Sequence, residues 1–89
     1  MNKEDISRTQ KFSGIDKNKS NEIRTELEKV YKALVKKGYN PVSQIVGYIL
    51  SGDPTYVTAH ANARNIISKF ENDEILEELV NFYFKENKI

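Results

Sequence analysis

The chain has 89 residues, no cysteine, and 14 basic against 13 acidic side chains for a net charge of +1. That length allows one small domain, near the size at which a core needs help such as self-association, and the lack of cysteine excludes disulfides and thiolate zinc sites. Near-neutral charge is not the basic footprint of a nucleic-acid binder, no apolar run approaches a membrane span, and Lys3, Glu4 and Asp5 interrupt any signal-peptide core.

Residues 1–20 are expected to form a flexible N-terminal segment. Its large apolar side chains, Met1, Ile6, Phe12 and Ile15, follow no helical or strand period, so burial cannot offset the entropy of ordering. Five basic against three acidic residues give it +2, which leaves −1 on residues 21–89. Within it, "SRTQKF" sets Ser7 and Thr9 around Arg8, with Lys11 and Phe12 behind.

From Asn21 onward, Ile23, Leu27, Val30, Tyr31 and Leu34 recur at three and four residues. That spacing predicts an amphipathic helix, capped by Ser20 or Asn21 and stopped by a left-handed Gly38. Glu22, Glu26 and Glu28 early and Lys32, Lys36 and Lys37 late complement the helix dipole. In "YNPVSQIVGYILSGDP", Asn40 and Pro41 read as N-cap and first helical residue. Val42, Ile45, Val46, Ile49 and Leu50 form an apolar stripe, and Gly52 ends the helix. Asp53-Pro54 repeats the cap-then-proline pattern before a short helical turn or irregular connection over "PTYVT". "AHANARNIISKF" reads as a further helix with Ala63, Ile66, Ile67 and Phe70 inward. "NDEILEELVNFYFKENK" reads as the last, capped by Asn72 or Asp73, with Ile75, Leu76, Leu79, Val80 and Tyr83 on one face. No strand alternation survives between these segments. The expected fold is all-α, an irregular bundle of four to five helices over residues 21–89.

Little here points to catalysis. His60 is the single histidine, and a catalytic imidazole needs a partner nucleophile or carboxylate. Asp53 is the nearest acid in sequence, and a packing or surface role accounts for His60 as well. One histidine among scattered carboxylates makes no metal-ligand spacing, and Glu71, Asp73, Glu74, Glu77 and Glu78 read as acids at a helix N-terminus. Gly38, Gly47 and Gly52 are too far apart to form a phosphate-binding loop. Mid-helix, Gly47 costs roughly 1 kcal/mol against alanine, which a close helix crossing, within a protomer or between two, would justify. Tyr31 and Tyr83 fall on apolar stripes and read as core. Tyr39 could staple the Asn-Pro cap. Tyr48 and Tyr56 flank the Gly-Asp-Pro turn, either as core or as an aromatic patch for a partner. The segments 41–51 and 54–70 allow a helix-turn-helix, nucleic-acid-binding alternative, but Arg64 and Lys69 are the only cations on its second helix, and phosphate contacts dominate DNA affinity.

The run "KGYNPVSQIVGYILSGDPTYV", with "ARN" and "DEILEELV" downstream, closely resembles the IreB-type regulatory phosphoproteins of Gram-positive bacteria over about residues 25–84. The residues that carry the likeness are Gly38, Tyr39, Asn40, Pro41, Gln44, Gly47, Tyr48, Gly52, Asp53 and Pro54. The resemblance implies a cytoplasmic, all-helical homodimer without enzymatic activity, cofactor or metal. It implies that Thr9, in "TQKF", is phosphorylated by a eukaryotic-type membrane serine/threonine kinase with PASTA repeats and released by a cognate phosphatase. Ser7 is a weaker second acceptor, because Ile6 stands where some members have another threonine. The implied output is control of peptidoglycan synthesis and cephalosporin tolerance, in some members through Clp-dependent proteolysis of an early cell-wall enzyme. Members often carry arginines where this chain has Ala59, Ser68 and Asn72, which weakens or re-specifies that surface for an acidic partner. A phosphate adds about −1.5 to −2 charges and would nearly cancel the +2 of the segment. It could pair with Arg8 and Lys11, or dock on Arg64 or Lys69, near Tyr56 and His60, in its own or the partner subunit.

Overall fold

The computed structural model describes residues 15–89; Ser7, Thr9 and most of the segment expected to be flexible lie outside them. Four α-helices follow in chain order: α1 (Lys17–Lys36), α2 (Pro41–Ser51), α3 (Ala63–Ile67) and α4 (Asn72–Glu86). Two 3₁₀ turns, Pro54–Tyr56 and His60–Asn62, lie between α2 and α3. No strand occurs among the described residues, and the all-α expectation holds.

Helix α1 begins four residues before the periodicity predicts. Asp16 supplies the cap, its carboxylate accepting the Lys19 N–H at 2.8 Å, so neither Ser20 nor Asn21 is needed. The first turn therefore holds Lys17 and Lys19 rather than acids. At the other end the Gly38 N–H donates to Val35 O and the Tyr39 N–H to Leu34 O. With Gly38 at φ 86°, this is a Schellman closure that only a left-handed residue permits cheaply.

Helix α2 runs as the Asn-Pro and Gly-Asp-Pro signals predict. The Asn40 side chain accepts the Ser43 N–H at 3.0 Å, and Gly52 closes the helix at φ 72° with its N–H on Tyr48 O. Tyr39 is half exposed; the fourth helical residue, opposite which a staple would pack, is the polar Gln44.

The third helix departs from expectation. It has five residues, not the length of "AHANARNIISKF", because Ala61 and Asn62 sit at φ 53° and 64°. The Thr58 hydroxyl accepts the His60 N–H at 3.1 Å, a local bond of the kind that competes with helix. Helix α4 is capped by Glu71, one residue before the predicted Asn72 or Asp73, and the Glu71 N–H donates to Glu74 Oε1 at 3.1 Å.

The core joins Ile23, Val30, Ala33 and Leu34 of α1 to Tyr48, Val57, Ala63, Ile67, Phe70 and Ile75. Full burial of each large aliphatic side chain contributes about 1.5–3 kcal/mol. The apolar stripes are wider than this core. Tyr31 and Tyr83, expected inside, are 54% and 59% exposed. Val42, Val46 and Leu50 of α2, and Leu76, Leu79 and Val80 of α4, are exposed as well.

Candidate interaction surfaces

The segment from Asn40 to Arg64 folds into a closed corner. The Gln44 amide donates to Tyr56 O at 2.8 Å, bridging α2 to the first 3₁₀ turn. The Tyr56 ring packs against Gly47, where a Cβ would meet ring carbons at 2.5 and 2.6 Å. Within the protomer, the close approach expected at Gly47 is therefore to an aromatic ring and not to a second helix. Tyr48 is buried in the core, while Tyr56 remains partly exposed.

Asp53 caps the turn, its Oδ1 accepting the Thr55 hydroxyl at 2.7 Å and the Thr55 N–H at 3.0 Å. Those bonds, with the nearby Arg64 charge, hold the Asp53 carboxyl below its ordinary value. Arg64 reaches across the corner, its Nε donating to Val57 O at 2.9 Å and Pro54 O at 3.1 Å.

The cations proposed for phosphate docking thus already have protein partners. Lys69 pairs with Glu26 at 3.0 Å, and Lys29 pairs with the same carboxylate at 2.9 Å. These hydrogen bonds hold Glu26 below the usual range. His60 is exposed, and Asp53 directs its carboxylate to Thr55. Ser68 returns its hydroxyl to Arg64 O, and the Asn72 amide donates to Ile49 O at 3.2 Å, tying α4 to the end of α2. Ala59 is exposed at the start of the second 3₁₀ turn. The helix-turn-helix alternative meets a recognition element of five residues whose arginine is turned inward.

Sequence reasoning missed the contact that fastens α4. Glu78 is 4% exposed and accepts hydrogen bonds from the Ser20 hydroxyl and, at 2.8 Å, from Arg24 Nε. It is a buried crosslink between the first and last helices, not one of the N-terminal acids of α4. Its position three residues after the buried Ile75 was the available signal, since i and i+3 share a helix face. The Arg24 guanidinium also lies 5.1 Å over the Phe82 ring.

Beside this pair runs an apolar groove walled by Leu27 and Tyr31 of α1, Ile45 of α2, and Leu79 and Phe82 of α4. The adjoining face of α4 carries a second stripe, Leu76, Val80 and Tyr83, all exposed and spaced i, i+4, i+7. Exposed apolar patches of this kind mark interaction surfaces. Among the described residues no cluster of histidine, aspartate and glutamate is arranged to hold a metal, and no helix is long and apolar enough to cross a membrane.

A family model described as IreB regulatory phosphoprotein matches residues 7–85. The chain is 54% identical over 79 residues to a UPF0297 protein of Clostridioides difficile strain 630, covering 89% of this chain and 92% of that one. It is 60% identical over 72 residues to a UPF0297 protein of Acetivibrio thermocellus, covering 81% and 80%. A UPF0297 protein of Lachnoclostridium phytofermentans is 54% identical over 80 residues, 90% of each chain. The family description names a regulator that carries phosphate and names no reaction.

Proposed function

The chain belongs to the IreB regulatory phosphoprotein family, and on that premise we propose that it is a cytoplasmic, non-enzymatic switch set by phosphorylation of Thr9. The kinase is a membrane serine/threonine kinase of the PASTA type, opposed by a phosphatase. The output is control of peptidoglycan synthesis and cephalosporin tolerance, through a cell-wall enzyme or a Clp protease component. The observation that carries this reading is the reach of the family match. It starts at residue 7 and takes in Thr9 together with nearly all of the helical domain, to residue 85. Phosphate adds about −1.5 to −2 charges and strong acceptor oxygens, enough to offset the +2 of residues 1–20.

The protein works as a homodimer in this reading, with Leu76, Val80 and Tyr83 of α4 meeting a second copy. Those side chains are exposed, and a chain this short gains most from burying them.

The test is phosphoryl transfer from the PASTA kinase to wild type, Thr9→Ala and Ser7→Ala. Thr9→Ala should lose nearly all label and Ser7→Ala little. Full labelling of Thr9→Ala sinks the assignment. Sedimentation of Val80→Asp should shift the protein towards monomer with its helical circular dichroism intact; an unchanged mass removes this face as the interface.

A further inference from the structure

The groove between α1, α2 and α4 has a volume of about 370 Å³, with Leu27, Tyr31, Ile45, Leu79 and Phe82 as its apolar walls. Towards the start of α1 it meets a polar hollow of about 180 Å³. The two share Arg24, Glu78 and Phe82, so they form one depression with an apolar body and a polar end. Small-molecule sites have volumes of about 300–1,000 Å³, and this depression falls among them.

The polar end is cationic. Lys17, Arg24 and Lys85 line it, together with Ser20 and Asn81. Its two acids are already engaged. Asp16 accepts the Lys19 N–H at 2.8 Å, and the buried Glu78 is held by the Ser20 hydroxyl and, at 2.8 Å, by Arg24 Nε. Lys17 and Lys85 are exposed and make no ion pair among the described residues. The other acid of the depression, Glu28, stands on the groove edge, about one turn further along α1 than Arg24.

We infer that this depression binds a single-chain amphiphile with an anionic head, phosphate or carboxylate. The head meets Lys17, Arg24 and Lys85, and the alkyl chain runs along α1 past Leu27 towards Tyr31. Seven residues separate Arg24 from Tyr31, about 10 Å of helix, which sets the length of chain that the walls cover. The polarity of the depression fixes this orientation. A cationic head would face three cations at the polar end, and a reversed ligand would bring its anion to Glu28. A partner helix fits less well. One turn of helix, about 10–12 Å across, takes up roughly 400–600 Å³, more than the groove holds, so only its side chains would enter. The site draws on neither Thr9 nor the Leu76, Val80 and Tyr83 stripe, and its failure would leave the phosphorylation and dimer readings as they stand.

The test is a titration of the full chain, enriched in ¹⁵N, with octyl phosphate below its micelle concentration. Amide shifts should saturate at Lys17, Arg24, Leu27, Tyr31 and Phe82. Hexyl phosphate should bind about fivefold more weakly, having two fewer methylenes to bury. Lys17→Gln with Lys85→Gln should weaken octyl phosphate about threefold, the scale of two exposed charge contacts, with octanol binding and helical circular dichroism unchanged. Equal shifts with octyltrimethylammonium overturn the anionic head. Inorganic phosphate binding as tightly as octyl phosphate means an adventitious ion only and overturns the amphiphile. Shifts that fail to saturate, or that miss the groove, overturn the site. Vesicles of phosphatidylglycerol that bind the chain while octyl phosphate leaves the groove unshifted also overturn it and assign this face to a membrane surface.

Discussion

The corner from Asn40 to Arg64 and the helix α4 treat their aromatic and apolar residues in opposite ways. In the corner, Tyr48 is buried, the Tyr56 ring covers Gly47, and Gln44, Asp53 and Arg64 all direct polar atoms to the chain itself. In α4, Ile75 and Glu78 face inward, whereas Leu76, Leu79, Val80, Phe82, Tyr83 and Phe84 remain exposed. The most distinctive stretch of sequence is thus largely a device for folding. The plainer stretch presents the surface. A run that identifies a family need not be the run that meets its partners.

The sharpest test sets two neighbours on α4 against each other. Ile75→Ala should lower the urea unfolding free energy by about 3 kcal/mol, the cost of a cavity in the core. Leu76→Ala should stay within about 0.5 kcal/mol at concentrations where the protein is monomeric. Equal losses would mean that α4 has no inner and outer side. Next in size is Arg24→Ala, which takes the charged donor from the buried Glu78 carboxylate and should cost about 2 kcal/mol. A loss below half of that would mean that Ser20 and solvent satisfy Glu78 unaided.

In the corner, Gly47→Ala should destabilise by about 1 kcal/mol, because displacing the Tyr56 ring outweighs the gain in helix propensity. In a Tyr56→Ala background the same substitution should stabilise by up to about 1 kcal/mol. If the sign does not reverse, the ring is not what requires glycine. The smallest effect is in pH. Glu26 and Asp53 have folded-state values depressed below their unfolded ones. The stability they add is therefore present above the unfolded values and lost as pH falls through the lowered ones, below about pH 5. Glu26→Gln with Asp53→Asn should flatten that part of the stability curve, and an unaltered slope would remove both ion contacts from the account.

Much of this was legible beforehand where a residue type has one local job. Asn40 with Pro41 and Gly52 with Asp53 marked both ends of α2, since capping and left-handed stops depend on neighbours in sequence. Periodicity likewise found the stripes containing Ile23, Val30, Leu34 and Ile75. What it could not say is whether the chain itself covers a stripe. Tyr31, Tyr83 and Leu76 obey the same spacing as core residues and lie outside, because burial depends on what packs opposite. The short α3 was hidden for a related reason. Ala61 and Asn62 have acceptable helical composition, and their positive φ angles follow from the path the corner imposes. Gly47 signalled a close approach without naming the ring that makes it. Thr9 and Ser7 rest on resemblance, since the described residues begin after them.

Phe82, under the Arg24 guanidinium, marks where the last helix stops touching the globule closely. Tyr83 to Glu86 are all exposed, so about one turn projects like a cantilever fixed at one end. Amide exchange along α4 should therefore quicken within a few residues of Phe82, with no change in helical geometry. A partner gripping the free end would pay for stiffening it as well as for contact. Its dwell time would then respond to helix-forming tendency at positions such as Lys85 and Glu86 that it need not touch.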